Sequence, residues 1–130
     1  MKRLLILALV FVLLFCASGC SKIRISNNEL AVLIYHEPVA GNTETIVETL
    51  SAEESETVRR ILMDAKYNPG IGGCYYTENI SFTFGDQVFA VACDGCETIW
   101  DIQNDKYYVV DQEDWAYIEA LFEQYGGKLP

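Results

Sequence analysis

The sequence predicts an α+β two-layer sandwich: an antiparallel sheet, built from a four-strand meander and an N-terminal hairpin, with two amphipathic helices packed on one face. Three observations predict it. Between Asn79 and Val110 apolar residues alternate through three two-residue turn signals, Gly85-Asp86, Asp94-Gly95 and Asn104-Asp105, each suited to a tight hairpin. Upstream, Leu30 to His36 and Thr43 to Leu50 read as strands, joined by turn chemistry at Ala40-Gly41-Asn42. Two further segments carry apolar residues at helical rather than strand spacing.

The first helix is expected from about Ala52 to Ala65. Ser51 and Glu54 form a capping box at its start. Val58, Ile61, Leu62 and Ala65 share its core face, while Glu53, Glu56 and Arg60 face water. Asn68-Pro69-Gly70 and the glycines up to Gly73 make the loop that follows. The second helix opens at Asp111, expected to cap, with Glu113 and Asp114 in the first turn. Trp115, Ile118, Leu121, Phe122 and Tyr125 form its apolar stripe, and Gly126-Gly127 ends it.

Residues flanking a two-residue turn point to the same face, so the alternation can be carried through the whole meander. Ile80, Phe82, Phe84, Phe89, Val91, Cys93, Cys96, Trp100, Ile102, Tyr107 and Val109 then face the helices. A slip of one residue would bury Glu97 and Asp101 instead, which argues for this register. The opposite face would carry Ser81, Thr83, Glu97 and Asp101 together with Val88, Ala90, Ala92, Ile99 and Val110, a mixed surface whose apolar part is a candidate partner site.

The N-terminus has its own pattern. Lys2 and Arg3 are followed by an uncharged run, Leu4 to Phe15, and then by Ala17-Ser18-Gly19-Cys20. The apolar run is shorter than the roughly 20 residues of a membrane-spanning helix. Small residues after it suit a signal peptidase. This arrangement resembles the lipobox of bacterial lipoproteins, with Ala17 where the commonest form has Leu. The resemblance implies cleavage between Gly19 and Cys20 and a diacylglyceryl group on the Cys20 thiol, more than one acyl chain being needed for durable attachment. The organisation expected is therefore a signal peptide over 1–19, a lipidated cysteine and short tether over 20–28, and one α+β domain over 29–130. Fully extended, the eight tether residues from Ser21 reach about 28 Å. The location implied is extracytoplasmic, on the cell membrane or on the outer membrane of an organism with two.

The full chain has 9 basic and 19 acidic residues. Removing Lys2 and Arg3 leaves seven basic residues against the same 19, a net charge of −12. Such a surface repels nucleic acid and anionic lipid headgroups, which are not expected partners, and attracts cations or basic peptides.

Of five cysteines, Cys16 would leave with the signal and Cys20 would carry lipid, so Cys74, Cys93 and Cys96 form the candidate thiol cluster. An odd number leaves one thiol over. Pairing Cys74 with either partner closes a loop of about twenty residues and stabilises by about 3 kcal/mol in the chain-entropy model. A Cys93–Cys96 bond across a two-residue turn would be strained and readily reduced. Redox exchange is one alternative, although Asp94 and Glu97 beside the pair disfavour the thiolate. Three thiolates with His36 as a tetrahedral metal site is another. Cys93-Asp94-Gly95-Cys96 after an apolar strand resembles small Gram-positive lipoproteins of uncharacterised role, which implies no activity.

No catalytic constellation is present: one histidine, no nucleophile-elbow serine, no phosphate-cradling glycine loop and no metalloprotease motif. Asp101 and Asp105, flanking Asn104, read as turn residues. The sequence therefore predicts a non-enzymatic envelope lipoprotein without cofactor or metal, which binds or supports an envelope protein or ligand. The alternatives are a thiol-redox or metal-handling protein, and an inhibitor or immunity module using the Tyr67 to Tyr76 loop.

Overall fold

The computed structural model describes residues 21–36, 45–70 and 73–129. Among them two helices and a seven-stranded antiparallel sheet make the expected α+β fold. The strands are β1 (Val32–His36), β2 (Thr45–Thr49), β3 (Lys66–Tyr67), β4 (Tyr76–Phe84), β5 (Gln87–Ala92), β6 (Thr98–Asp101) and β7 (Lys106–Val109); the helices are α1 (Ala52–Asp64) and α2 (Gln112–Gln124). Across the sheet the order is β2-β1-β4-β5-β6-β7-β3. The meander is β4 to β7, and the hairpin β1–β2 adds to its β4 side. Strand β3 adds two residues to the far edge, too few for a sequence pattern to reveal.

Both helices lie on the face that carries Leu33, Tyr35, Phe82, Phe84, Phe89, Val91, Ile99 and Tyr108. The Phe122 ring of α2 sits 5.2 Å from Phe82 and 6.1 Å from Tyr35 between centroids. The Arg59 guanidinium of α1 lies 5.2 Å above Phe84. The helices run antiparallel side by side: Arg60, late in α1, pairs with Asp114, early in α2, at 2.9 Å. Glu54 accepts from Gln124 Nε2 at 3.0 Å and from the Tyr125 hydroxyl at 3.1 Å.

The helix ends follow from their sequences. Ser51 Oγ accepts from the Glu54 amide at 3.2 Å and Glu54 accepts from the Ser51 amide at 2.9 Å, the reciprocal pair of a capping box. At the end of α2 the Gly127 amide donates to Phe122 O and the Gly126 amide to Glu123 O, with Gly126 at φ 91°. This is a Schellman ending, and it needs a residue free of Cβ strain. Gly127 is also confined by contact, since a Cβ there would lie 2.9 Å from the Tyr35 ring. Asp111 departs from expectation: its side chain makes no cap bond and instead reaches Lys66 Nζ at 3.2 Å.

The meander register departs too. The β4–β5 turn is the expected two-residue Gly85-Asp86, with Phe84 opposite Gln87. Next, however, Val91 pairs with Ile99 and Phe89 with Asp101, so Cys93 to Glu97 form a five-residue loop rather than a two-residue turn at Asp94-Gly95. The slip exchanges the faces of every later residue. Ile99, Asp101 and Tyr108 turn toward the helices, while Trp100, Tyr107 and Val109 turn away. Asp101 is 3% exposed. Its carboxylate accepts from the Asn104 amide at 3.3 Å and from Asn104 Nδ2 at 2.8 Å, which offsets the cost of withdrawing it from water.

Residues 21–28 are not a free tether. Ile23 and Ile25 are 3% and 7% exposed and belong to the core. Gln87 Nε2 donates to Arg24 O at 3.0 Å, and Arg59, itself 4% exposed, donates from Nε to Ser26 O at 3.2 Å and from its other arm to Glu29 O. A bond and ion pair to Glu56 complete its partners. The alternating isoleucines insert because β-branched side chains at every second position fill one side of an extended segment. The Ala40-Gly41-Asn42 turn and the signal region lie outside the described residues.

Arg59→Lys retains the charge but loses the fork that spans two carbonyls. It is expected to cost on the order of 2 kcal/mol in urea denaturation and to speed amide exchange selectively over residues 23–26. Ser51, through its hydroxyl and then its amide, followed by Gln124 and Tyr125, holds the Glu54 carboxyl below the usual carboxylate range. A depressed carboxyl stabilises the fold above its unfolded pKa, and that contribution is lost as pH falls through the folded value. The advantage of wild type over Glu54→Gln in urea midpoint is therefore expected at pH 7, and to shrink from about pH 4.3 downward.

Candidate functional site

The residues with most chemical individuality converge where β4 begins and β5 ends. Cys74 and Cys96 form a disulfide with Cα atoms 6.2 Å apart. The bond is one of the two long-range pairings open to Cys74, and Cys93 is left as the free thiol among the described residues. The Cys93 amide donates to Tyr75 O at 2.8 Å, and the Tyr75 amide donates to Asp94 Oδ2 at 2.7 Å. Asp94 thus spends its carboxylate on the neighbouring segment rather than on its own turn. With the disulfide, these bonds account for the longer loop: Cys93 to Glu97 is shaped by Cys74 and Tyr75, not by local turn preference. A register irregularity in β4 between Tyr76 and Ser81 accommodates the approach.

This arrangement presents Tyr75 at 66% exposure, the most exposed of the large apolar and aromatic side chains among the described residues. The next residue, Tyr76, meets Trp100 and Tyr107 on the sheet face away from the helices. Trp100 and Tyr107 stack with centroids 6.0 Å apart and planes 12° from parallel; Tyr76 is 5.5 Å from Tyr107 and 6.1 Å from Trp100. The Tyr76 hydroxyl lies 2.6 Å from Thr98 Oγ1, and Trp100 Nε1 donates to Asp105 at 3.1 Å. All three rings are half-buried. Tyr76 stands opposite Ala92, and Trp100 and Tyr107 end a cross-strand row that runs Val47, Ile34, Ser81, Ala90, Trp100, Tyr107. Its two small members, Ser81 and Ala90, are fully buried, so the larger neighbours close over them.

The thiol chemistry is subdued. Burial first, and Asp94 second, push the Cys93 thiol above its ordinary pKa. Its Sγ lies 3.3 Å from Val91 O. Cys74, Asp94 and Cys96 are close enough to share a metal ion, but the two sulfurs are bonded to each other and Asp94 is engaged by Tyr75. His36 stands apart from this group, with Nδ1 2.7 Å from Thr45 Oγ1. Disulfide sulfurs are not thiolates, so the oxidised protein offers no metal centre here.

Of the three cysteines, Cys74 and Cys96 are bonded to each other, and the Cys93 thiol stays outside the group that they form with Asp94. Gly19 and Cys20 lie outside the described residues. Sequence reasoning missed the outward placement of Trp100 and Tyr107, because the alternation was carried through a turn of the wrong length. An available signal was Cys74, whose pairing with either hairpin cysteine would tie the β5–β6 connection to a distant segment. Comparisons with models of known protein families, with curated proteins and with solved structures return no match.

Replacing both Cys74 and Cys96 by serine is expected to lower stability by about 3 kcal/mol while leaving the strands paired. In the unreduced wild type, alkylation should label Cys93 alone among the three cysteines. It should do so more slowly at pH 8 than free cysteine reacts, because its raised pKa leaves less thiolate.

Proposed function

We propose that the protein is a lipid-anchored, non-enzymatic binding module of the bacterial envelope, held through diacylglyceryl-Cys20 and engaging an envelope protein or ligand through Tyr75 and the cluster that Tyr76 forms with Trp100 and Tyr107. The observation that carries the binding role is a strongly exposed tyrosine on a segment whose backbone is tied to the β5–β6 loop by a disulfide and two hydrogen bonds. An aromatic side chain with only two torsions on a tied-down backbone loses little entropy on contact and brings a large area, which is why tyrosine and tryptophan dominate binding hot spots. The anchor rests on the lipobox pattern at Ala17-Ser18-Gly19-Cys20. Among the described residues no helix is long and apolar enough to cross a membrane.

A second reading, an inhibitor or immunity module, draws on the same feature, since Tyr75 lies in the Tyr67 to Tyr76 stretch. It differs only in what the partner does. Redox exchange is disfavoured by the raised pKa of Cys93.

Cys20→Ala is expected to move the protein from the membrane to the soluble fraction, and intact mass should show a lipid adduct on wild type alone. A photoreactive phenylalanine analogue at position 75 should trap a discrete adduct in cells, whereas the same group at exposed Lys128 should not. Equal labelling at both positions would remove the contact assignment. Tyr75→Ala should leave stability within about 0.5 kcal/mol.

A further inference from the structure

We infer that a basic hollow next to the N-terminal end of the domain binds the phosphate of an anionic lipid headgroup in the membrane that holds Cys20. This inference rests on the anchored reading above. The hollow has a volume of about 300 Å³ and is lined by Lys22, Arg24 and Lys106, with Gln87, Asn104 and Asp101 among its polar neighbours.

Charge is the first argument. Only seven basic residues follow Cys20. Arg59 is committed to Glu56 and two carbonyls, Arg60 to Asp114 and Asp64, and Lys66 to Asp111. Of the four without a carboxylate partner among the described residues, three line this one hollow. Lys106 is further steadied by the Tyr67 ring, 5.8 Å from its Nζ. Asp101 contributes one opposing charge, but Asn104 engages it through two hydrogen bonds. The lining therefore carries three positive charges against one negative, in a domain whose net charge is strongly negative.

Placement is the second argument. Ile23 is locked in the core, so the chain has no slack beyond it. Lys22 is two residue steps from Cys20, a reach of at most about 7 Å. A lipid on Cys20 would thus hold this hollow within about 7 Å of the attachment point, close to the bilayer surface however the domain turns. The acidic remainder of the domain is repelled by the same anionic surface. The two effects orient the domain together, with the N-terminal end inward. The whole-chain charge argued against anionic headgroups as partners; the clustering of the free cations at the anchored end reverses that argument locally.

Full-length protein in zwitterionic detergent, labelled with ¹⁵N, is titrated separately with dihexanoylphosphatidylglycerol, dihexanoylphosphatidylcholine and inorganic phosphate. Amide shifts of residues 22–25, Gln87 and Asn104 report the hollow, and those near Tyr75 report the fold. Saturable shifts are expected with the glycerol lipid, none with the choline lipid, and an affinity at least tenfold weaker for phosphate. The triple variant K22Q/R24Q/K106Q should abolish them and the single R24Q should weaken binding severalfold, with the Tyr75 region unmoved in both. No saturable shift, equal affinity for inorganic phosphate, or binding retained in the triple variant would each overturn the inference. Intact mass of the same sample reports separately on Cys20: unmodified Cys20 with headgroup binding intact would remove the anchor and leave the site.

Discussion

A disulfide between Cys74 and Cys96 ties the loop that joins β5 to β6 to the segment that leads into β4, and the length of that loop decides what both sheet faces carry from Thr98 onward. With five residues in the loop, Phe89 stands opposite Asp101 and Ala90 opposite Trp100. With an even number the two faces would exchange, because side chains alternate at every residue. The exposed aromatic group and the buried Asp101 are therefore two results of one constraint. The disulfide and the two Tyr75 backbone bonds, through loop parity, place the half-buried rings of Trp100 and Tyr107 beside Tyr76 on the face the helices leave uncovered.

That register carries an electrostatic cost, and its resolution is local. Asp101 faces the helix side of the sheet, where an unpaired carboxylate would be strongly unfavourable. Asn104 satisfies it within the same turn, the kind of side-chain-to-backbone closure that asparagine and aspartate make readily. Arg59 is the basic counterpart. Its guanidinium is nearly fully buried, yet its donors reach Ser26 O, Glu29 O and Glu56, and its flat face lies over Phe84. Among the described residues no buried side-chain nitrogen or oxygen lacks a partner. Each buried charge also does topological work: Asp101 closes the β6–β7 turn, and Arg59 fastens residues 26–29 to α1.

What was legible in the sequence was what local interactions decide. The stripes Val58-Ile61-Leu62 and Trp115-Ile118-Leu121-Phe122 are buried as their spacing requires. The Ser51–Glu54 box and the Gly126-Gly127 ending depend on residues within one turn of each other. The Gly85-Asp86 hairpin joins strands that need nothing else to set their register. Where a distant partner intervenes, local rules mislead. Asp94-Gly95 has the composition of a tight turn, but Tyr75 and Cys74 claim its neighbours from some twenty residues away. Asp111 looks like a cap, but Lys66 draws its carboxylate to the β3 edge. Residues 21–28 look like a polar tether because Ile23 and Ile25 stand among Ser, Lys, Arg and Asn, and the side chains that hold the segment's carbonyls, Arg59 and Gln87, lie 33 and 63 residues further along the chain. Of the candidate site, the cysteines were legible as residue types and their pairing only as a choice between partners. The aromatic face depended on loop parity and was not legible.

The packed N-terminal segment changes what an anchor at Cys20 would mean mechanically. A free linker lets a domain sample every orientation above a surface, with a reach that grows with its length. Here the chain enters the core at Ile23, and Arg59 and Gln87 bind the backbone that follows. An attachment just before it acts as a pivot rather than a leash. The domain then carries its basic hollow at the pivot. Lys22 and Arg24, on either side of Ile23, are set outward by the same alternation that drives Ile23 and Ile25 inward. Insertion of the isoleucines and outward display of the cations are one structural event, so loosening the segment from the core would disperse the charge cluster as well as lengthen the attachment.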